Sequence, residues 1–138
     1  FLGPGQCDLA DGEILLEIII PPLLPRTGGA YIKHGRREAM ELPMLGVGVL
    51  LSLEEDMQTC AKARICLGVA APTPLRCFQA ENYLVGKTVD ENTLAEAGRL
   101  AGEESRVRDS IRGLAWYRRE MVGVLVRRMG LKALERAK

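Results

Sequence analysis

The last part of the chain carries apolar residues at steps of three and four, which is the spacing of one helical face. The residues that share this spacing are Leu114, Tyr117, Met121, Val122, Val124, Leu125 and Met129. No proline follows Gly113, so the pattern predicts one long helix within residues 110–138. Arg118 falls inside the apolar arc. We therefore expect its guanidinium to be buried and bonded to backbone carbonyls or to Asp109.

The first half of the chain alternates apolar and polar positions with a period of two, which is typical of strands. The predicted strands are residues 13–20, 30–37, 45–53 and 59–70. In the first strand the even positions are all aliphatic and are expected to face the core, whereas Leu15 lies between two acids on the partly exposed face. Short connections between the strands favour antiparallel pairing.

Helix signals follow the strands. Thr73, followed by a proline, predicts an N-cap for a helix over residues 74–85. Asp90 predicts the N-cap of a second helix, in which Val89 and Leu94 occupy the two positions of a hydrophobic staple. The order of elements predicts an α+β fold: an antiparallel three- to four-stranded sheet followed by a three-helix layer packed on one face.

Size and charge disfavour several functional classes. The 138 residues fit one domain, and the net charge of +1 does not favour nucleic acid or an anionic membrane as a partner. No apolar run approaches the ~20 residues of a membrane span. The four cysteines have no metal-ligand spacing and only one histidine to join them, so we predict no metal site. Buried free thiols indicate a reducing compartment, and we expect a cytoplasmic location.

The sequence does not indicate a self-contained active site. His34 is the only histidine, which disfavours a Ser-His-Asp or Cys-His system, and we expect it to form an ordinary hydrogen bond. Gly28-Gly29 lacks the spacing and the lysine of a phosphate-binding loop. We predict no catalytic residue in this chain.

Four segments in sequence nevertheless point to a known family. They are Gly12-Glu13-Ile14-Leu15, residues 29–37 (GAYIKHGRR), residues 67–76 (LGVAAPTPLR), and Ile111-Arg112-Gly113 followed by Tyr117-Arg118-Arg119. Together they resemble the C-terminal domain of the flavoprotein (medium) subunit of molybdenum-containing hydroxylases, the family of carbon monoxide dehydrogenase and xanthine dehydrogenase. By this resemblance, residues 13–138 are that domain. Residues 1–12 are then a remnant of the preceding FAD-binding domain or a linker, and the chain is expected to be a fragment.

The resemblance implies a part of an electron-transfer complex. In such enzymes a molybdenum cofactor hydroxylates the substrate, and electrons pass through 2Fe–2S clusters to FAD in the medium subunit. Partner subunits hold the molybdenum cofactor and the clusters. FAD is gripped mainly by the upstream FAD-binding domain, so we expect this chain alone to lack FAD and to be non-catalytic. Leu15 is expected to lean towards the flavin ring, and Lys33 to lie near it. The alternatives are coverage of Leu15 by the upstream domain without flavin contact, and a solvated Lys33.

Two other functional classes remain open on the sequence alone. One is a free-standing protein-interaction module without flavin, which a start codon next to Phe1 would favour. The other is a small nucleic-acid binder, suggested only by the basic end of the last helix, whose cations also complement the helix dipole. A further coding region with Gly-rich loops upstream would favour the flavoprotein domain.

Overall fold

One antiparallel sheet is followed in sequence by three helices in the computed structural model, which describes residues 1–37 and 39–138. The elements are β1 (Thr27–His34), β2 (Leu45–Leu53), β3 (Cys60–Gly68), β4 (Leu75–Arg76), α1 (Phe78–Leu84), α2 (Glu91–Glu104) and α3 (Ala115–Ala137). The strands lie in the order β1-β2-β3-β4, and each pairs antiparallel with its neighbour. The predicted fold class, α+β with the helices after the sheet, is confirmed.

The core lies between one face of the sheet and the helices. The residues of β2 and β3 that point into it are Leu45, Val47, Val49, Leu51, Leu53, Ala63, Ile65 and Leu67, each between 0% and 3% exposed. From the other side, α3 contributes Val122, Leu125 and Val126, which are equally buried. The burial of these aliphatic side chains is the main stabilisation of the fold.

Glycines allow the layers to approach closely. Gly28 of β1 faces the α3 backbone, and a Cβ added there would overlap the carbonyl oxygen of Ala133. At the α2–α3 crossing, a Cβ on Gly98 would lie 2.5 Å from the carbonyl oxygen of Gly123. Helix α3 therefore lies against both β1 and α2 at backbone distance, and no larger residue fits at these two points.

The predicted strand at residues 13–20 is wrong. The structure assigns no regular element to these residues, and the side chains expected in the core are exposed, Ile14 by 76% and Ile18 by 77%. The sheet consists of other strands, beginning at Thr27. An alternating pattern predicts which residues favour burial, but a strand also needs a neighbour to pair with, and residues 13–20 pair with none in the described part of the chain.

The predicted helix over residues 74–85 begins later. The segment Leu75–Arg76 pairs with β3 instead, and the Cys77 N–H donates to the Ile65 carbonyl at 3.0 Å. This pairing with the preceding strand overrides the local capping signal at Thr73, and α1 starts at Phe78. The strand predicted at 30–37 likewise occupies Thr27–His34, and that predicted at 59–70 is shortened to Cys60–Gly68.

Local signals elsewhere predicted the structure well. β2 has the predicted bounds. The Asp90 carboxylate accepts a hydrogen bond from the Thr93 N–H at 2.8 Å, and Thr93 Oγ1 accepts in return from the Asp90 N–H at 2.9 Å. This reciprocal pair starts α2 as predicted. The staple residues Val89 and Leu94 are both buried.

Candidate functional site

The longest exposed apolar stretch of the molecule lies before the sheet, in residues 13–24, which we name the apolar segment. Its large side chains are between 59% and 85% exposed: Ile14, Leu15, Leu16, Ile18, Ile19, Ile20, Leu23 and Leu24. Contiguous apolar surface of this kind marks an interaction site in soluble proteins. The apolar segment is therefore the first candidate for contact with a partner or a ligand.

A second candidate surface is the side of the sheet that the helices leave uncovered, which we name the open face. Tyr31 and Lys33 of β1 alternate with Ile32, which packs against the core, so both project from the open face. Glycines of β2 lie opposite them in register, since Tyr31 pairs with Gly48 and Lys33 with Gly46. The open face is thus flat and nearly free of side chains along its centre.

Tyr31 occupies the space that the glycines leave. A Cβ added at Gly46 would lie 3.0 Å from the Tyr31 hydroxyl oxygen, so the tyrosine ring lies directly over the glycine row. This close contact is the one that the paired glycines of β2 predict. The Tyr31 side chain remains 67% exposed and presents an aromatic surface. Flat aromatic surface next to glycine backbone suits a planar ring or the surface of a partner protein.

Lys33 lines a cleft of about 330 Å³ together with Arg36, Arg37 and Glu41. Glu41 accepts a hydrogen bond from the Arg37 backbone N–H at 2.8 Å and lies 3.6 Å from Arg36 Nε. The Arg37 backbone donor is the main cause that lowers the pKa of Glu41 below its ordinary value. The Lys33 ammonium has no hydrogen-bond or ion-pair partner among the described residues, so its charge is available to a ligand.

The two predicted cofactor-contacting residues are both at the surface. Leu15 lies in the apolar segment and is 69% exposed, and Lys33 is exposed on β1. Leu15 does not line the cleft that Lys33 lines, nor the one beside Tyr31 on the open face. Contact of either residue with a flavin stays a prediction.

His34 and Tyr117 lie between β1 and the first turn of α3. The Tyr117 hydroxyl is 3.4 Å from His34 Nε2, and the exposed Trp116 packs edge-on against the Tyr117 ring, with centroids 5.9 Å apart. The expectation of an ordinary hydrogen bond for His34 is confirmed. In the described part of the chain no carboxylate or cysteine bonds to either ring, and the contact packs α3 against β1.

Arg118 is buried as predicted, with 3% of its surface exposed. Its Nη1 lies 3.5 Å from the Val69 carbonyl oxygen and its Nη2 donates to the Ser110 hydroxyl, which ties α3 to the end of β3. Asp109, the alternative partner, instead accepts the Ala115 N–H at 2.6 Å at the start of α3. Burial, followed by the positive charges of Arg108 and Arg112, lowers the pKa of Arg118 below its ordinary value.

Sequence reasoning missed one buried charge. Glu81 of α1 is 3% exposed and accepts hydrogen bonds from Arg76 Nε and Nη2, both at 2.6 Å, and from the Ile65 N–H at 2.8 Å. This network joins α1, β3 and β4. Arg76 lies in a strand, so no helical spacing links it to Glu81. The sequence alone therefore gave no signal for this ion pair.

Neither a metal centre nor a membrane span is found where the structure is described. In residues 1–37 and 39–138, no three His, Cys, Asp or Glu side chains come together as a possible metal site. Within the same ranges, no helix is both long enough and apolar enough to cross a bilayer.

Known proteins share this fold and about a third of the residues of this sequence. The chain is 34% identical over 128 residues to the carbon monoxide dehydrogenase medium chain of Afipia carboxidovorans, covering 92% of this chain and 43% of that protein. It is 28% identical over 136 residues to the xanthine dehydrogenase FAD-binding subunit of Escherichia coli O157:H7, covering 98% and 46%. The carbon monoxide dehydrogenase structure from Hydrogenophaga pseudoflava superposes on 99% of this chain and 46% of its own, with a TM-score of 0.91 and 31% identity.

The chain therefore spans less than half the length of these relatives. The model of the CO dehydrogenase flavoprotein C-terminal domain matches residues 30–133, which include the whole helical layer except its last turn and nearly all of the sheet. The chain belongs to the CO dehydrogenase flavoprotein C-terminal domain family.

Proposed function

We propose that this chain acts as the C-terminal domain of the flavoprotein subunit of a molybdenum-containing hydroxylase, where it helps to wall the FAD site and to assemble the electron-transfer complex. The observation that carries the proposal is the family match over residues 30–133. The exposure of the apolar segment supports it, because a segment of this composition favours a covering partner. In the proposal, an upstream FAD-binding domain of the same subunit is that partner.

The residues of this chain suit one side of an FAD site but not its phosphate-binding part. Gly28 and Gly29 lie within β1, and Gly28 packs against α3, so this pair cannot cradle a phosphate. Leu15 presents an exposed aliphatic side chain and Lys33 an ammonium without a partner among the described residues. When bound, FAD would accept electrons from iron–sulfur clusters and pass them to an external acceptor.

Leu15 and Lys33 have different roles in this proposal. Leu15 would pack against the flavin and exclude water from it, because an aliphatic side chain gains free energy when it leaves solvent. Lys33 would place a positive charge near the ring and stabilise the anionic reduced form over the neutral oxidised form. Glu41 lines the same cleft, but its carboxylate lies 3.6 Å from Arg36 Nε and is not ion-paired with Lys33.

The charge role of Lys33 is tested by redox titration of the full natural chain that carries this sequence, loaded with FAD. Lys33→Gln is expected to shift the flavin midpoint potential to more negative values. Lys62→Gln is the matched control, because Lys62 is also an exposed strand lysine and lies on β3. Equal potentials for the wild type and Lys33→Gln would contradict the role of Lys33.

The placement of FAD predicts a difference between the short and the full chain. Purified residues 1–138 are expected to show no stoichiometric flavin absorption, whereas the full natural chain binds FAD. Flavin at equal stoichiometry on the short chain would contradict the proposal. No observation favours the free-standing interaction module over the flavoprotein domain.

The partners in this proposal are the iron–sulfur and molybdenum subunits of the complex, which would dock on the flavoprotein subunit. Affinity purification of the full natural chain from its own cells is expected to recover both subunits in stable proportion. Recovery of the chain without either subunit would contradict their role.

We also propose a cytoplasmic location, supported by four cysteines that form no disulfide in the described residues. Cell fractionation tests it.

A further inference from the structure

A cleft of about 640 Å³ opens at one end of the sheet, where the turn between β3 and β4 meets the connection between α2 and α3. The turn contributes Val69 and Pro72 to its wall. The connection and the first turn of α3 contribute four arginines, Arg106, Arg108, Arg112 and Arg118. Neither Leu15 nor Lys33 lines this cleft, so it is separate from the surface proposed to face FAD.

The charge of the cleft is uncompensated. No acidic residue lines it, and none of its four arginines forms an ion pair within residues 1–37 and 39–138. Some arginines elsewhere on the molecule do pair with carboxylates, as Arg76 does with Glu81 and Arg99 with Glu96. Asp109 attracts the Arg118 charge, but its carboxylate already accepts the Ala115 N–H. Four cations that converge with only one carboxylate nearby, and with no ion pair to it, repel one another and favour an anion between them.

Arg118 adds an unsatisfied donor at the inner wall. The residue is 3% exposed, and its Nε is buried without any hydrogen-bond partner. A buried charged donor without an acceptor is costly, and native structures normally satisfy it. Val69 beside it has a φ of 62°, which a β-branched residue adopts only under strain. The Val69 carbonyl and the Ser110 hydroxyl bond to the Arg118 Nη atoms only, so the Nε keeps an unused donor in a residue that lines the cleft.

We propose that this cleft binds a small phosphate-bearing molecule, with Arg118 Nε as the inner donor and Arg106, Arg108 and Arg112 at the rim. Guanidinium groups bind phosphate oxygens with paired, charge-assisted hydrogen bonds. Four positive charges match a diphosphate or a phosphate ester better than a single carboxylate. The volume accommodates such a group together with the organic part that it carries.

The test is calorimetric titration of inorganic pyrophosphate into the full natural chain at constant ionic strength. We expect the wild type to bind with a Kd below about 1 mM. The double variant Arg108→Gln/Arg112→Gln, which alters the rim rather than the core, is expected to bind about tenfold or more weakly. The matched control Arg119→Gln/Arg128→Gln removes two exposed arginines of α3 that do not line the cleft, and is expected to bind as the wild type does.

Arg118→Met should abolish binding, and the rim variant carries the test if Arg118→Met fails to fold. The proposal is overturned if the wild type shows no binding, if the control weakens binding as much as the rim variant, or if citrate binds more tightly than pyrophosphate. Flavin content is measured in the same samples. A variant that loses pyrophosphate but keeps FAD shows that the two proposals succeed or fail independently.

Discussion

The apolar segment (residues 13–24) and β2 (Leu45–Leu53) are both rich in aliphatic residues, yet they differ completely in environment. Leu51 of β2 is 0% exposed, whereas Leu16 of the apolar segment is 85% exposed. β2 is paired on both sides and covered by helices, while the apolar segment pairs with no strand in the described part of the chain. The comparison shows that a hydrophobic pattern predicts which residues favour burial. It does not predict which part of the protein covers them.

The largest expected difference between the two regions is the loss of stability when a leucine side chain is truncated to alanine. In the 138-residue chain, Leu51→Ala should lower the free energy of unfolding by about 2–5 kcal/mol, since it leaves a cavity between sheet and helices. Leu16→Ala should change it by less than about 0.5 kcal/mol, because the side chain is already in water. Urea unfolding of both variants measures the difference. A large loss for Leu16→Ala would mean that the apolar segment is packed in this chain.

Thiol labelling sharpens the same contrast without a mutation. Burial raises the pKa of Cys77 from an ordinary value of 9.0 to about 12 and that of Cys60 to about 11. Near neutral pH the reactive thiolate of Cys77 is therefore about a thousandfold less populated than that of a cysteine with the ordinary pKa. Cys7, which is exposed before the apolar segment, should react with iodoacetamide at once.

Mass spectrometry after timed labelling at pH 8 gives the order of reaction. Cys60 and Cys77 should be modified only after urea is added. Their modification in native buffer at the rate of Cys7 would show that the sheet opens readily, which contradicts the rigid core described above.

Removing a buried charge should lower the free energy of unfolding far more than removing an exposed one. Glu81→Gln weakens three hydrogen bonds to a 3% exposed carboxylate, and we expect a loss of about 1–3 kcal/mol in unfolding free energy. Glu17→Gln, in the apolar segment, is the matched control and should have little effect, because Glu17 is exposed. Thermal unfolding at pH 7 compares them. Equal melting temperatures for the two variants would contradict the role of the Glu81 network.

The smallest expected effect is the pH dependence of the α2 cap. The Thr93 backbone N–H lowers the pKa of Asp90 below its ordinary value of 3.8. The folded state therefore favours the ionised form, and this contribution to stability is complete above pH 3.8 and is lost as the pH falls through the lower, folded-state pKa. Asp90→Asn should be less stable than the wild type at pH 6, and this difference should shrink at pH 3. A constant difference between the two pH values would contradict a charged cap.

The parts of the fold that follow local rules were predictable from the sequence. The cap of α2 needs only Asp90 and Thr93, and the burial of Arg118 follows from its position in a helical repeat. The bounds of β2 follow from an uninterrupted alternation in a central strand. In each case the sequence signal lies within one element or within one turn of it.

Other features depend on contacts between different elements, which the local sequence signals did not predict. β4 forms because Leu75–Arg76 meets β3, and this pairing removes the helix start expected at Thr73. The Glu81 network depends in turn on β4. For the candidate site, the exposure of Leu15 was predicted. The predicted burial of its even-numbered neighbours was wrong, because residues 13–20 pair with no strand in the described part of the chain.

The central claim is that the apolar segment is the surface that an upstream FAD-binding domain covers. Hydrogen–deuterium exchange of residues 13–24 measures this directly in two samples, the 138-residue chain and the full natural chain loaded with FAD. Their amides should exchange rapidly in the short chain and become strongly protected in the full chain, while β2 is protected in both. Rapid exchange of residues 13–24 in both samples would contradict the claim.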